Sequence, residues 1–263
     1  MTLRETMPEQ LPSELTYDSL GEAAEAYELT GNFTSQIPTE VGPIPNSEAI
    51  SEIASAATER LLTIDAGVMQ FANGGMEISN ELVEGDWSEA DIAAVRTFET
   101  ALLMIDADFR QRAGIDASTV LQPNVTITAG IYDEQQARSN AVPHLDQYGE
   151  KTMLYFAAVG AGTRVYPGEF FVDPSVASSL DPEKAILTQI EEKGIAPVEL
   201  DGDKIYAAGW NTVHASPDET HVDEQRCFLR VTYAPYSIHD QTPVLDTVTQ
   251  TAPDETRQLV NAW

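Results

Sequence analysis

The spacing of apolar residues divides the chain into a helical part and a strand-rich part. Over residues 47–68 apolar side chains recur every three or four positions, which predicts a helix that ends before Gly74-Gly75. A second helix is predicted from Ser88, because Ser88 and Asp91 have the spacing of a capping box, and it extends to near Gly114. Both helices are expected to pack on the outside of a sheet.

Short apolar runs separated by turn residues predict strands after residue 120. These runs cover residues 125–132, 152–159, 163–172, 204–208 and 227–234. The Asp-Gly pair within Leu200–Lys204 predicts a hairpin turn. One helix is predicted over residues 182–193, and Gly194 ends it. Many short strands with few helices between them favour a β-sandwich or barrel over alternating βαβ units.

These elements predict one α+β, mainly β domain that follows an irregular arm. Residues 1–46 are polar and rich in proline, which predicts the arm. The domain is expected over residues 47–263. Its parts are a helical layer (47–115), a β core (120–236) and a C-terminal tail (237–263) with a short helix over 255–262.

Two histidines and an aspartate are the candidate metal ligands. His144-Leu145-Asp146 is a His-x-Asp pair, and His214 follows His144 by seventy residues. Side chains two positions apart on a strand point to the same side, so His144 and Asp146 can share a site. Two imidazoles and one carboxylate hold one face of an octahedral ferrous ion and leave positions open, as in non-haem iron oxygenases.

A second His-x-Asp pair, His221-Val222-Asp223, shows that the short motif arises easily in this chain, which has 43 acidic residues among 263. After His221 only His239 remains, eighteen residues on, and this leaves too little chain for strands between two ligands. Several predicted strands separate His144 from His214. The spacing therefore favours His144, Asp146 and His214.

Two arginines follow His214 within the last predicted strand. Arg226 and Arg230 come twelve and sixteen residues after it, in and beside the apolar run 227–234. An arginine on the buried face of a strand requires an anion to neutralise it, and a carboxylate matches the guanidinium best. Spacing does not choose between the two, but Arg230 lies deeper in the apolar run and is the preferred anchor.

The net charge of −29 narrows the possible partners. No basic patch for nucleic acid is visible. Adaptation of the surface to high salt is favoured over a surface for cationic partners, because the acids are scattered along the chain. The single cysteine, Cys227, excludes an internal disulfide. No signal peptide or bilayer-spanning run is visible, so a cytoplasmic location is expected, and the oligomeric state is not indicated.

The candidate residues resemble the 2-oxoglutarate and iron(II)-dependent oxygenases. That family has His-x-Asp/Glu, a long gap, a second His and then a basic residue, on a double-stranded β-helix (jelly-roll). The match covers about residues 120–236. The run Gly160–Pro167 resembles a glycine-rich strand of the prolyl-hydroxylase-like branch, and its Arg164 and Tyr166 become candidate cosubstrate contacts. Tyr132, Gln147 and Asn211 are further candidates for supporting contacts.

The resemblance implies iron(II), 2-oxoglutarate and O2 as cofactors and cosubstrates. It implies hydroxylation of a C–H bond of a small molecule, such as a free amino acid, with release of succinate and CO2. A peptidyl-proline or protein hydroxylase is the first alternative, motivated by the glycine-rich strand. A non-catalytic metal-binding jelly-roll protein is the second, although the His-x-His pair usual in cupins is absent from the sequence.

Overall fold

The computed structural model of the protein describes residues 15–56, 59–64, 69–78, 88–131, 142–146, 149–175 and 182–239. The helices in these ranges are α1 (Tyr17–Thr30), α2 (Ser47–Ala56), α3 (Glu89–Thr97), α4 (Glu99–Ala113) and α5 (Pro182–Lys193). The strands are β1 (Asn32–Ser35), β2 (Thr39–Pro43), β3 (Glu59–Ile64), β4 (Met69–Ala72), β5 (Gly75–Ile78), β6 (Val120–Leu121), β7 (Asn124–Ile131), β8 (Met153–Val159), β9 (Arg164–Val165), β10 (Gly168–Phe171), β11 (Val198–Glu199), β12 (Lys204–Gly209), β13 (His214–Ala215), β14 (Gln225–Tyr233) and β15 (Ile238–His239).

A six-stranded antiparallel sheet forms the centre of the fold, in the order β2-β12-β8-β14-β7-β3. A three-stranded antiparallel sheet, β11-β9-β13, is extended by a bridge between His144 and His214. Two smaller sheets, β1-β10 and β15-β6-β4-β5, complete the strands in the described ranges. The fold is therefore a mixture of helices and antiparallel sheets.

The two faces of the six-stranded sheet pack against different layers. Strand β8 shows this clearly, because its side chains alternate between faces. Leu154 and Phe156 join a small core with Val165 and Leu200, which belong to or flank the three-stranded sheet. The intervening Tyr155 belongs to the larger core, which includes the helices. The two sheets thus enclose an interior space, and the helices cover the other face.

The strand predictions for residues 125–132, 152–159, 204–208 and 227–234 are confirmed by β7, β8, β12 and β14, with residue 132 outside the described ranges. The helix over 182–193 is confirmed as α5, and Gly194 follows it with φ 63°. The predicted strand 163–172 is two short strands, β9 and β10. The helix expected over 255–262 lies outside the described residues.

The helix predicted from Ser88 is confirmed at both ends but is interrupted. Ser88 and Asp91 form the expected capping box, and Gly114 ends α4 in the left-handed conformation at φ 64°. The interruption is at Phe98, a buried residue where α3 ends and α4 begins. The buried face of α4 contains Leu102, Ile105 and Phe109, as the spacing predicted.

Residues 15–46 are not an irregular arm. Helix α1 begins with a capping box formed by Thr16 and Ser19, and its Leu20 carbonyl accepts a hydrogen bond from Trp210 Nε1 at 3.2 Å. Strand β1 pairs with β10, and β2 is an edge strand of the six-stranded sheet that ends at Pro43. An edge position tolerates proline because no ladder hydrogen bond is needed on the open side. The prolines of this segment were therefore wrongly interpreted as evidence for an irregular arm.

The single helix predicted over residues 47–68 is confirmed for α2 but is wrong for residues 59–64, and residues 57–58 and 65–68 lie outside the described residues. Residues 59–64 form β3, which pairs with β7 at the edge of the six-stranded sheet. The Asn73-Gly74 pair, with φ of 54° and 74°, makes the tight turn of the β4–β5 hairpin, a signal that sequence reasoning missed. The hairpin expected at 200–204 is also wrong, because β11 pairs with β9 and not with β12.

No helix in the described parts of the chain is long and apolar enough to cross a membrane.

Candidate metal centre

The three predicted ligands converge between the two sheets. Ligand atoms of His144, Asp146 and His214 all lie within 4.8 Å of one another, and this is the one such group that the described residues contain. Asp146 Oδ1 is 3.9 Å from His144 Nε2, and Asp146 Oδ2 is 3.5 Å from His214 Nε2. This separation suits donors arranged around a common ion, which requires metal–ligand distances of about 2.0–2.2 Å.

Backbone pairing places the two imidazoles side by side. His144 N–H donates to the His214 carbonyl at 2.9 Å, and His214 N–H donates to the His144 carbonyl at 3.0 Å. Directly opposed residues of an antiparallel pair project their side chains to the same face. The ring centroids are accordingly 4.6 Å apart. Two main-chain hydrogen bonds therefore hold the histidines side by side, although they are seventy positions apart in the sequence.

Both histidines are oriented by backbone carbonyls. His144 Nδ1 lies 2.9 Å from the Val142 carbonyl oxygen, and His214 Nδ1 lies 3.0 Å from that of Thr212. A carbonyl oxygen only accepts, so each Nδ1 carries the hydrogen and donates it. This leaves the lone pair on Nε2, the nitrogen that faces Asp146. Supporting bonds of this kind hold metal-binding histidines in the required tautomer.

The electrostatics keep the ligands in the protonation states that a cation requires. Burial lowers the pKa of His214 to about 4, so the ring is neutral at physiological pH. Burial alone would raise the pKa of Asp146, but the nearby charges, that of Arg230 foremost, lower it to about 2. His214 and Asp146 thus offer a neutral imidazole and a carboxylate without any further deprotonation.

One oxygen of Asp146 provides a test of whether a metal fits. Oδ2 is buried and accepts no hydrogen bond from the described residues. A buried carboxylate oxygen without a partner is costly and rarely left so. A divalent cation between Oδ2 and the two Nε2 atoms would satisfy it. The donor set therefore fits a divalent metal.

Both candidate arginines face the interior between the sheets. Arg226, Phe228 and Arg230 alternate on β14 with residues of the larger core. Arg226 is buried, its Nε donates to the Ala161 carbonyl at 2.9 Å, and its guanidinium lies 4.5 Å from the Phe228 ring centre. Phe228 lies between Arg226 and Arg230 on this face, so the Arg226 guanidinium packs on the ring that separates the two arginines. Arg230 Nη1 donates to Asp146 Oδ1 at 2.7 Å.

Arg164 and Tyr166, the other predicted cosubstrate contacts, are not placed with the ligands. Val165 is paired with His214 and shares its face, so Arg164 projects to the opposite face of the small sheet. There Arg164 Nε donates to the Ser216 carbonyl at 2.9 Å, and Nη1 lies 3.9 Å from Asp218 Oδ2. Burial raises the pKa of Tyr166, whose next electrostatic influences are Arg164 and Asp218, on that same side.

The remaining supporting candidates are placed elsewhere. Asn211 Nδ2 donates to the Thr34 carbonyl at 2.7 Å, so it fastens a loop to β1 and does not support the metal centre. Tyr132 and Gln147 lie outside the described residues. Sequence reasoning missed Phe156, whose ring is 4.9 Å from that of His214 and forms a wall of the site. The period-two alternation of β8 could have indicated it.

The glycine-rich run is explained by close backbone contacts. Gly160 has φ 93°, and a Cβ there would collide with the Gln225 carbonyl oxygen. A Cβ on Gly162 would collide in the same way with the Leu200 carbonyl oxygen. These glycines allow the chain after β8 to pass close to its neighbours. They do not by themselves favour a peptide substrate.

No protein-family model matches the chain, and no curated protein is similar to it in sequence. Solved structures do show similarity. One is the non-heme alpha-ketoglutarate-dependent epimerase SnoN from nogalamycin biosynthesis, at 17% identity and TM-score 0.41, covering 90% of this chain and 94% of that one. The Kdo hydroxylase KdoO, a non-heme Fe(II) alpha-ketoglutarate-dependent dioxygenase, is 10% identical at TM-score 0.43, covering 86% and 87%. A 2OG-Fe(II) oxygenase family oxidoreductase from Burkholderia pseudomallei is 10% identical at TM-score 0.38, covering 84% and 91%.

His221, the histidine of the second His-x-Asp pair, lies in an acidic cluster on the outer surface. Its Nε2 is 3.1 Å from Glu199 and its Nδ1 is 3.0 Å from Glu224, with Asp218 also nearby. The hydrogen bond that His221 Nδ1 donates to the Glu224 carboxylate is the main cause that raises the pKa of His221, and the charges of Glu199 and Asp218 add to it. His221 therefore joins the loop before β14 to strand β11, and it does so most strongly in its protonated form.

We expect the loop over residues 216–224 to loosen as the pH rises. A raised folded-state pKa means that the protonated form stabilises the fold below the ordinary imidazole pKa, and that this contribution is lost as the pH passes the raised value. Hydrogen exchange of the loop amides, corrected for intrinsic rates, should report faster opening at high pH. The His221→Gln variant should remove this pH dependence; an unchanged pH profile in the variant would contradict the assignment.

Proposed function

We propose that the protein is an iron(II)- and 2-oxoglutarate-dependent dioxygenase that hydroxylates an unactivated C–H bond of a small molecule. One observation carries the proposal: His144, Asp146 and His214 converge while β14 directs two arginines into the same interior. Such a ligand set holds iron and leaves coordination positions for a cosubstrate and O2. A nearby guanidinium is the natural partner of the cosubstrate's carboxylate.

We further propose that the two facing sheets form a double-stranded β-helix. The order β7-β14-β8-β12 in the large sheet supports this, as does the order of residue 144, β13, β9 and β11 in the small one. Along the chain, successive segments alternate between the two sheets except where β9 is followed by β11. This is the winding of a jelly-roll built from eight strands.

Iron(II) bound here would supply the oxygen activation that couples decarboxylation of 2-oxoglutarate to hydroxylation. The protein's residues would hold the reactants and exclude water. Arg226 is now the better candidate for the distal carboxylate, in place of the Arg230 that the sequence favoured. Arg226 is buried and packs on Phe228 on the inner face of β14, whereas Arg230 is already bonded to Asp146.

A small substrate, with a free amino acid as one example, remains the proposed class. The glycine run that motivated a peptide substrate has an explanation in backbone packing. A closed structural metal site is disfavoured, because it requires a fourth protein ligand, and the described residues bring only three donors together.

Anaerobic titration with iron(II) and 2-oxoglutarate tests the proposal. We expect a weak visible charge-transfer band in the intact protein, because iron(II) and the keto acid form this chromophore only when both are bound. His144→Ala should remove the band, and zinc in place of iron should give none, since its d10 shell has no such transition. Absence of the band in intact, folded protein would reject the proposed function.

A further inference from the structure

Arg230 has a different environment from Arg226, although both lie on the inner face of β14. It is paired in register with Thr126 on one side and Phe156 on the other. Its Nη1 donates to Asp146 Oδ1 at 2.7 Å, with the Asp146 side chain only 14% exposed. This is a charge-assisted hydrogen bond from a rigid planar donor, which fixes the orientation of the acceptor.

Because of this contact, the two oxygens of Asp146 have different environments. Oδ1 is held by Arg230, whereas Oδ2 is buried, has no hydrogen-bond partner among the described residues and faces His214 Nε2 at 3.5 Å. A free carboxylate can bind a metal through one oxygen or through both. The hydrogen bond from Arg230 uses one lone pair of Oδ1 and directs this oxygen towards the guanidinium, which favours Oδ2 as the metal-binding oxygen.

The guanidinium of Arg230 carries a second N–H donor, at Nε. This atom is buried and has no hydrogen-bond partner among the described residues. A buried N–H donor of this kind is unfavourable unless a ligand or water meets it. An anionic group bound beside Asp146 would accept this hydrogen bond.

We propose that Arg230 is a positioning residue that restricts Asp146 to one metal-binding oxygen and so preserves the adjacent coordination positions for a bidentate anionic cosubstrate. The inference rests on the proposed function, which requires those positions to be open. It assigns to Arg230 a role towards the keto-acid end of the cosubstrate, and it leaves the distal carboxylate to Arg226.

Substitution of Arg230 should separate metal binding from cosubstrate binding. In Arg230→Met, Co(II) should bind at least as tightly as in the unsubstituted protein, because a cation beside the site is removed. The binding of 2-oxoglutarate to the Co(II) protein should weaken by about ten-fold or more, the effect of losing one hydrogen bond to a charged group. The Co(II) absorption should also weaken before cosubstrate is added, since a second aspartate oxygen raises the coordination number.

Arg226→Met is the matched control. It should leave Co(II) affinity and the Co(II) spectrum unchanged and weaken only 2-oxoglutarate binding. Arg230→Lys is the second variant, in case the methionine variant does not fold. Lysine retains the charge but lacks the planar pair of donors, so we expect an intermediate Co(II) spectrum and intermediate cosubstrate affinity.

Calorimetry and Co(II) absorption on the full chain distinguish the outcomes. If the Arg230 variants match the unsubstituted protein in Co(II) spectrum and cosubstrate affinity, the role of Arg230 is overturned and the proposed function stands. If folded Arg230→Met or Arg230→Lys loses Co(II) binding, Arg230 maintains the site in some other way, and the inference is equally overturned. If the unsubstituted protein binds neither Co(II) nor iron(II), the proposed function fails, and the inference fails with it.

Discussion

Replacing Asp146 with asparagine is expected to lower 2-oxoglutarate turnover by about a thousand-fold or more. Loss of a supporting partner of a metal ligand typically costs roughly 10–100-fold, and loss of the ligand itself costs more. The amide cannot supply the negative charge that Asp146 places between His144 and His214. It also leaves the guanidinium of Arg230 without its carboxylate. Succinate formation and metal content after purification measure the effect.

The second His-x-Asp pair provides the control for this variant. Asp223 is exposed and has φ 71°, a conformation that asparagine adopts readily. Asp223→Asn should therefore retain both turnover and metal. If Asp146→Asn instead turns over 2-oxoglutarate at a rate similar to that of Asp223→Asn, Asp146 is not a ligand, and the proposed centre is wrong.

Replacing Arg110 with methionine is expected to lower the free energy of unfolding by about 3–5 kcal/mol, the usual cost of breaking a buried ion pair on one side. Arg110 Nε donates to Asp106 at 2.7 Å, and its other nitrogens donate to the carbonyls of Phe71, Asp116 and Thr119 at 2.7–3.0 Å. These bonds fasten α4 to strand β4 and to the turn that precedes β6. Urea unfolding at neutral pH measures the loss.

Two comparisons test the cause of that loss. Burial raises the pKa of Asp106 in spite of Arg110 and Tyr233, which indicates that the isolated carboxylate is poorly accommodated. Adding Asp106→Leu to Arg110→Met should therefore restore part of the stability. Lys151→Met removes a pair whose aspartate, Asp18, is 92% exposed, and should change stability little. Equal losses of unfolding free energy in Arg110→Met and Lys151→Met would show that the buried ion pair contributes no more to stability than the exposed one.

The convergence of the three candidate ligands could be predicted because it depends on their spacing along the sequence. The prediction required only two features. The two-residue period of a strand places His144 and Asp146 on one side, and the chain before His214 is long enough for the intervening strands. The same reasoning excluded His221, which the structure places in an acidic surface cluster. The strands near the site were also predictable, because the apolar runs 152–159 and 227–234 are bounded by turn residues.

The contacts around the ligands could not be predicted, because they depend on strand register. Arg164 and Tyr166 were expected near the metal, but the pairing of Val165 with His214 turns them to the other face. A shift by one residue would have reversed that outcome. Arg226 and Arg230 are four residues apart and thus share a face whatever the register. Only their side-chain contacts distinguish them.

Segments with weak periodicity gave the remaining errors. Residues 59–64 continue an apolar spacing that also suits a helix. They form a strand because they pair with β7. The short elements of residues 15–46 gain their stability from distant partners, such as the bond from Trp210 to α1. Such tertiary contributions override local propensity.

The reciprocal hydrogen bonds between the main chains of His144 and His214 bear on which metal the proposed centre would hold. The pairing of the two backbones sets the separation of the two imidazoles, whose ring centroids are 4.6 Å apart. A set of two imidazoles and one carboxylate does not discriminate strongly among divalent ions, because the relative affinities of these ions follow their intrinsic order. If the proposed function is right, the ions that the cell makes available decide which metal is bound, and zinc or copper supplied in excess should displace iron and abolish turnover.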